Sequence, residues 1–237
     1  MLSLDEQNVW RERYRRRRPE WQPATEVYAA LVQSELRPST LLLDLGCGRG
    51  GLVEQLDHPL HQMVGADPDW LSLYEHRLSL PRVAAKSEWL PFRDGSFDLV
   101  CASWVLEHLV EPAAVFTAVS RILKPGGAFV FITPNGRHPL TALNRVVGRA
   151  GRVQGRLVEW LYGRAPDDTF PTFYRANTPT KIEELCQQSG LVLETLRSIP
   201  DPTYLAFNPT MFWLLCLLEE QLPHSRQLHL VVAVRRA

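Results

Sequence analysis

The sequence predicts an α/β domain built on a parallel, doubly wound sheet, and three observations predict it. The apolar run Leu41-Leu42-Leu43 passes through Asp44-Leu45 straight into the glycine-rich turn Gly46-Cys47-Gly48-Arg49-Gly50-Gly51. From residue 40 to 133, five short apolar segments alternate with helical patterns, the arrangement that places parallel strands in one sheet. Asp44, Asp67, Ser87 and Ser103 all fall at or just beyond the carboxyl ends of those strands. Open α/β sheets bind their ligands there.

Residues 1–38 precede the sheet. Trp10 to Arg18 holds six arginines among Trp10, Tyr14 and, just beyond, Trp21. Two readings stand: a solvated helix whose aromatics dock on the core, or a basic arm that covers the bound ligand or meets an anionic substrate or surface. Glu26 to Leu36 then places Val27, Ala30, Leu31 and Leu36 at helical spacing.

Strand one ends at the glycine turn, and Leu52 to Leu56 reads as the start of a helix. Gly46, Gly48 and Gly51 satisfy G-x-G-x-x-G, a spacing that lets the backbone approach a ligand closely but is weak evidence alone. Asp44, two residues before the first glycine, sharpens it. A carboxylate there would repel a pyrophosphate, whereas a ligand with an amine and a sulfonium is attracted. The second strand, Met63 to Ala66, ends in Asp67, 21 residues past Gly46, near the offset at which such sheets place an acid on ribose hydroxyls. Its competing reading is a turn residue or the cap of the next helix. Downstream, Asp94-Gly95 makes a tight turn before a strand from Phe97 to Ala102. Pro112 opens a helix, and Leu123-Lys124-Pro125-Gly126-Gly127 stops it ahead of the strand Ala128 to Thr133.

The set LDLGCGRG, GADPD, LPFRDGSFDLV, LEHL and LKPGG, in this order and spacing over residues 40–133, resembles the class I S-adenosylmethionine-dependent methyltransferases, and within them a small-molecule, type 11-like subgroup. The resemblance implies a mostly parallel seven-stranded Rossmann-like sheet with helices on both faces. Its order would be 3-2-1-4-5-7-6 with the last strand antiparallel, Leu191 to Leu196 and Leu228 to Val234 supplying strands six and seven. It implies S-adenosylmethionine as cofactor: the backbone of Gly46, Cys47 and Gly48 near the methionine part, Asp44 near its amine, and Asp67 with Pro68 at the ribose. Ser87, Glu88 and Trp89 would flank the adenine, and Ser103 would lie beside the amine and the transferable methyl. One departure is Lys86, where the family often has an Asp for the adenine amino group; backbone groups of Ser87 and Glu88 offer a substitute.

The chain then divides into an N-terminal helical arm (1–38), a nucleotide-binding core (39–133), a helical and loop insertion after strand five (134–178) and the rest of the sheet (179–237). In the insertion, Pro139 suits a helix start, followed by Leu140, Leu143, Val146 and Val147. A Gly148–Gly155 break precedes Leu157, Val158, Trp160 and Leu161. Six arginines and one acid, Glu159, lie between Arg137 and Arg164, as expected of a basic lid on the substrate side or of a solvated face. The loop 167–177 is polar and aromatic without helical period, a composition suited to substrate contact, and Thr178-Pro179 opens a helix that Gly190 ends. The block Met211 to Leu218 is apolar all round and reads as a buried helix, a dimer face or a pocket wall for a lipid-like substrate.

Composition bounds the function. Formal charge is zero, with 23 Arg and three Lys, so no global field argues for nucleic acid. Cys47, Cys101, Cys186 and Cys216 form no C-x-x-C pair, which argues against a disulfide framework or metal site. With no secretory signal and no apolar run long enough to span a bilayer, a cytoplasmic location is expected. Methyl transfer needs alignment above all, and a base only where the acceptor must lose a proton. His108 is the first candidate, against a reading in which Glu107-His108 merely packs or caps. His138 and Tyr174 follow. The expected activity is methyl transfer to a small or lipid-linked metabolite, with oxygen ahead of carbon or nitrogen. The alternatives are a non-catalytic binding protein of the same fold and an RNA methyltransferase. A homodimer through 211–218 is a further expectation.

Overall fold

The computed structural model describes the backbone of residues 4–149 and 171–237 and the side chains of 7–143, 145 and 171–237. Seven strands, β1 (Leu42–Leu45), β2 (Met63–Asp67), β3 (Arg82–Ala84), β4 (Phe97–Ser103), β5 (Leu123–Pro134), β6 (Leu191–Ile199) and β7 (His229–Arg236), form one sheet ordered β3-β2-β1-β4-β5-β7-β6. Pairings from β3 to β5 are parallel, and β7 runs antiparallel to both β5 and β6. Chain order reverses between β1 and β4, which opens a crevice at their carboxyl ends.

Strand residues alternate between two cores, because successive side chains point to opposite faces. Leu43, Val100, Phe129, Phe131 and Val232 face helices α4 (Pro112–Ile122) and α6 (Pro179–Ser189). Leu42, Leu99, Val130, Ile132 and Val231 face α2 (Ala24–Glu35). Both helices on the first face start where the sequence signals it. Pro112 and Pro179 occupy first-turn positions, Thr178 caps α6 by accepting from the Lys181 amide, and Gly190 ends it at φ 70°.

The remaining helices are α1 (Leu4–Arg17), α3 (Trp70–Tyr74), α5 (Pro139–Arg149) and α7 (Pro209–Gln221). α1 docks through its aromatics: Trp10 stacks on Phe212 at 5.0 Å and Tyr14 is buried, as is Trp21 just beyond the helix. Its arginines pair outward, Arg15 with Glu26 and Arg17 with Glu220. Among the described residues, no helix is long and apolar enough to cross a membrane.

Several expectations are corrected. Residues Leu52–Gln55 form a single 3-10 turn rather than a helix, since Leu56 is already extended and the chain needs little length to reach β2. On α2, Ala30 is exposed, and Tyr28 and Val32 join Val27 inside. Ser103 is the last residue of β4, not the first beyond it. α5 runs through Gly148 to Arg149; the rest of the expected break, the 157–161 helix and residues 167–170 lie outside the described residues. α7 is buried on one side only.

Candidate functional site

The glycine turn is held by neighbours on both sides. The amides of Gly46 and Cys47 donate to the Ala66 carbonyl at 2.7 and 3.3 Å. Gly46 adopts φ +73°, and a Cβ there would stand 2.3 Å from the Val105 Cγ2 atom, so the loop after β4 demands the glycine. Gly48 also has positive φ, +49°, but a Cβ on it would meet nothing within 4 Å. Its side of the turn faces open space.

Two carboxylates frame that space. Asp67 accepts from the Gly48 amide at 2.9 Å and from the Asp69 amide at 2.8 Å. The helix cap is Asp69, which accepts from the Leu71 and Ser72 amides; Asp67 is therefore a turn residue that also braces the glycine loop. Asp44 is buried, and its carboxyl is pushed up to about 7: burial raises it most, the Cys101 thiol lowers it, and the charge of Asp67 raises it. The Cys101 Sγ donates to Asp44 Oδ1 at 3.7 Å. Below them the Tyr28 hydroxyl lies among Cys101, Asp44 and Ser103, and its ionisation is driven well above the usual range by burial. Tyr28 went unnoticed in the sequence because it sits one position from Val27 within an ordinary amphipathic pattern.

The β3 side is more open. The Ala85 amide donates to the Asp67 carbonyl at 3.1 Å, which brings the following segment beside β2. Ser87 is buried, Glu88 half-buried, and Trp89 is 78% exposed. Trp89 borders a groove of about 640 Å³ formed with Ala113, Ala114, Thr117 and Arg121 of α4. Pro68 and Lys86 are exposed.

Beyond β4 the backbone is strained. Trp104, directly after Ser103, takes φ 59°, donates its amide to Ile132 O at 3.1 Å and sets its ring edge-on to His229 at 5.0 Å. Such outliers persist only where surroundings over-determine them, and they cluster at functional sites. Tyr174, at φ 52°, is the other non-glycine outlier among the described residues.

Tyr174 belongs to a strap that lies along the LEHL turn. The Phe173 and Tyr174 amides donate to the Glu107 carbonyl at 2.7 and 3.1 Å, and Arg175 Nη1 donates to Val110 O at 2.6 Å. His108 Nδ1 meets Pro171 O at 2.9 Å, a contact that requires a proton on Nδ1. Beneath the strap, the Thr133 hydroxyl donates to Glu107 Oε2 at 3.0 Å and accepts from Asn177 Nδ2 at 2.5 Å. Glu107 is fully enclosed, and burial pushes its carboxyl up to about 7. The loop 171–177 is thus explained as the partner of Glu107-His108, a relation of distant segments that no local pattern announces.

His138 does not stand on an open lid. It is buried, accepts from the Leu140 amide through Nδ1 at 3.1 Å, and turns Nε2 to Glu219 Oε1 at 3.2 Å. Nearby, Asp201 Oδ1 accepts from Thr203, and His229 Nδ1 lies 3.9 Å from Asp201 Oδ2. Burial holds the His229 imidazole down at about 4 against the opposing pull of Asp201. No group of side chains suited to a metal ion occurs among the described residues, and all four cysteines are buried thiols.

The structure thus brings together Asp44, Gly46, Gly48, Asp67 and Ser103 at one crevice, with Cys47 buried behind the turn. An open backbone surface between a buried carboxyl and a second, hydrogen-bonded carboxylate suits a ligand that carries both an amine and a vicinal diol.

Comparison with known proteins agrees. The family model described as Methyltransferase domain matches residues 43–131. The ubiquinone biosynthesis O-methyltransferase of Nitrosococcus oceani is 31% identical over 181 residues, which span 71% of this chain and 67% of that one. The mitochondrial protein of that name from Rattus norvegicus is 29% identical over 73% of this chain, but only 49% of its own length is spanned. Among solved structures, an S-adenosylmethionine-dependent methyltransferase from Mesorhizobium loti superposes with a TM-score of 0.57 at 21% identity, covering 87% of this chain and 96% of that one. This last likeness is one of fold.

Proposed function

We propose that this chain, which belongs to the class I S-adenosylmethionine-dependent methyltransferases, transfers the methyl group to an oxygen of a small or lipid-linked acceptor. The similarity to ubiquinone biosynthesis O-methyltransferases supports the choice of oxygen. When bound, S-adenosylmethionine would supply an electrophilic methyl on a sulfonium, whose sulfur departs as a neutral thioether.

In this reading the protein binds, orients and excludes water. The Asp44 carboxylate meets the methionyl amine beside Ser103, and the Gly46–Gly48 backbone, with Cys47 in the turn, follows the methionine chain. Asp67, next to Pro68, takes the ribose hydroxyls; a carboxylate accepting from both contributes about 1.5–3 kcal/mol per bond. Ser87, Glu88 and Trp89 close on the adenine, and the 78% exposure of Trp89 leaves its ring available to do so. His108 removes the acceptor proton through Nε2, with Nδ1–H anchored on Pro171 O supporting that tautomer. Tyr174, buried on the same strap, positions the acceptor. The strap covers the acceptor, and orientation in a dry site supplies up to about 7–11 kcal/mol of the barrier.

The test is label transfer from methyl-labelled S-adenosylmethionine to hydroxylated aromatic acceptors with and without an isoprenoid tail. O-methylated product is expected, with His108→Ala lowering kcat and leaving cofactor affinity intact. If the protein binds cofactor but labels no hydroxyl acceptor, the oxygen reading fails.

A further inference from the structure

Helix α7 turns Phe212, Leu215, Cys216 and Glu219 inward. Its outer side carries Met211, Trp213, Leu214 and Leu217, exposed by 37%, 44%, 56% and 52%. The other exposed positions of that helix are Pro209, Thr210 and Gln221, so its exposed positions hold no charge. Both carboxylates of the helix are engaged elsewhere: Glu219 is buried, and Glu220 is held by Arg17 and Arg18. The loop leading into the helix adds exposed Tyr204 and Phe207. Apolar surface of this extent on one helix marks an interaction site rather than scattered exposure.

What borders the face indicates its partner. α1 packs alongside through Trp10 and Phe212, and Arg13 lies over the Phe212 ring at 5.7 Å and Arg17 over the Trp213 ring at 4.8 Å. Residues 4–18 carry six arginines against Asp5, Glu6 and Glu12, in a chain whose charges balance to zero overall. Uncharged Trp and Leu beside an arginine ridge is the pattern of an element lying in a membrane interface. Arginine stems follow apolar surface while their heads reach polar groups. The pair Arg16–Glu12 is exposed on both sides, and such surface pairs are weak enough to yield to phosphate. A second copy of the chain would instead bring a second ridge of six arginines against three acids to the same patch, a net like-charge repulsion.

We propose that the outer face of α7 and the adjoining arginines of α1 dock this protein on an anionic lipid surface. Trp213, Leu214 and Leu217 enter the boundary between headgroups and acyl chains, and Arg13 and Arg16 meet lipid phosphates. This stands independently of the acceptor reading, because it needs no turnover.

The experiment is sedimentation of the full-length protein with vesicles of phosphatidylcholine alone or mixed with phosphatidylglycerol. Binding to the mixed vesicles is expected, weakened by salt and nearly absent on phosphatidylcholine. The exposed triple variant Trp213→Ser/Leu214→Gln/Leu217→Gln loses it, and Arg13→Gln/Arg16→Gln weakens it by roughly tenfold or more. Unchanged melting and S-adenosylmethionine binding show that both variants are folded. Wild-type protein that stays in the supernatant with mixed vesicles overturns the proposal, as does a triple variant that binds like wild type. A wild-type dimer that the triple variant disperses, seen by equilibrium sedimentation, assigns the face to a second copy and also overturns it.

Discussion

The Gly48 amide donates to a carboxylate oxygen of Asp67 across 2.9 Å, joining the turn after β1 to the end of β2. The other oxygen of Asp67 accepts from the Asp69 amide at the start of α3. One side chain thus organises the glycine loop before any ligand arrives. Asp67→Ala is expected to weaken S-adenosylmethionine binding by roughly 10- to 100-fold, the worth of a lost charge-assisted bond plus a loosened turn. Calorimetric titration of wild type and variant checks it; unchanged affinity would remove Asp67 from the site.

If the buried carboxyl of Asp44 meets the methionyl amine as proposed, cofactor affinity is expected to depend on pH. In the free protein it titrates at about 7, raised chiefly by burial. A cationic amine placed beside it favours the ionised form, so below pH 7 binding must expel a proton. The dissociation constant is therefore expected to rise by up to about tenfold per pH unit below 7 and to level off above it. Titrations at pH 6 in buffers of different ionisation heat read the proton release, and Asp44→Asn should bind weakly with a flat profile.

Two glycines separate folding from binding. A methyl group at Gly46 collides with Val105 at 2.3 Å in addition to the positive φ, so Gly46→Ala should destabilise the fold itself. At Gly48 the added methyl meets no protein atom, and only the strain of a left-handed alanine, about 1–2 kcal/mol, is charged to stability. Gly48→Ala should melt slightly early yet lose most cofactor affinity. Thermal melts paired with titration distinguish the two, and a Gly48→Ala protein with normal affinity would mean the ligand does not approach there.

Glu107 links stability to pH. Its folded value, about 7, lies above the usual 4.5, and Asp44 is raised likewise from 3.8. Raised carboxyls stabilise the fold while protonated, so their contribution is lost as pH climbs through 7. From pH 8 down to 6.5, ligand-free protein should gain roughly 0.8 kcal/mol from each group. Below about 6.5 the buried, depressed His229 opposes this, since it must charge on unfolding and its contribution is lost as pH falls towards 4. Melting curves across this range check the rise, and Glu107→Gln should remove about half of it.

Much of this protein was legible locally. Apolar runs marked β1, β2, β4 and β5, the family resemblance supplied β6 and β7, and β3, a short and largely exposed edge strand, had no such run. Pro112, Thr178-Pro179 and Gly190 marked helix ends where the structure has them. The acids and glycines of the crevice were legible too, because each is required by its own turn or strand end. The stretch Leu52–Gln55 misled because a helical composition does not state how far the chain must travel to reach β2.

The sequence by itself determined the parallel core, the glycine turn and the placing of Asp44 and Asp67 beside it, since periodicity and turn chemistry are properties of neighbouring residues. Tertiary structure alone decided that Tyr28 lies under Asp44, that residues 171–177 strap onto Glu107 and His108, and that half of α7 faces solvent. The physical reason is burial. Whether a polar group is desolvated, or an apolar face covered, depends on which distant segments arrive against it, and their arrival costs chain entropy that only the whole fold repays.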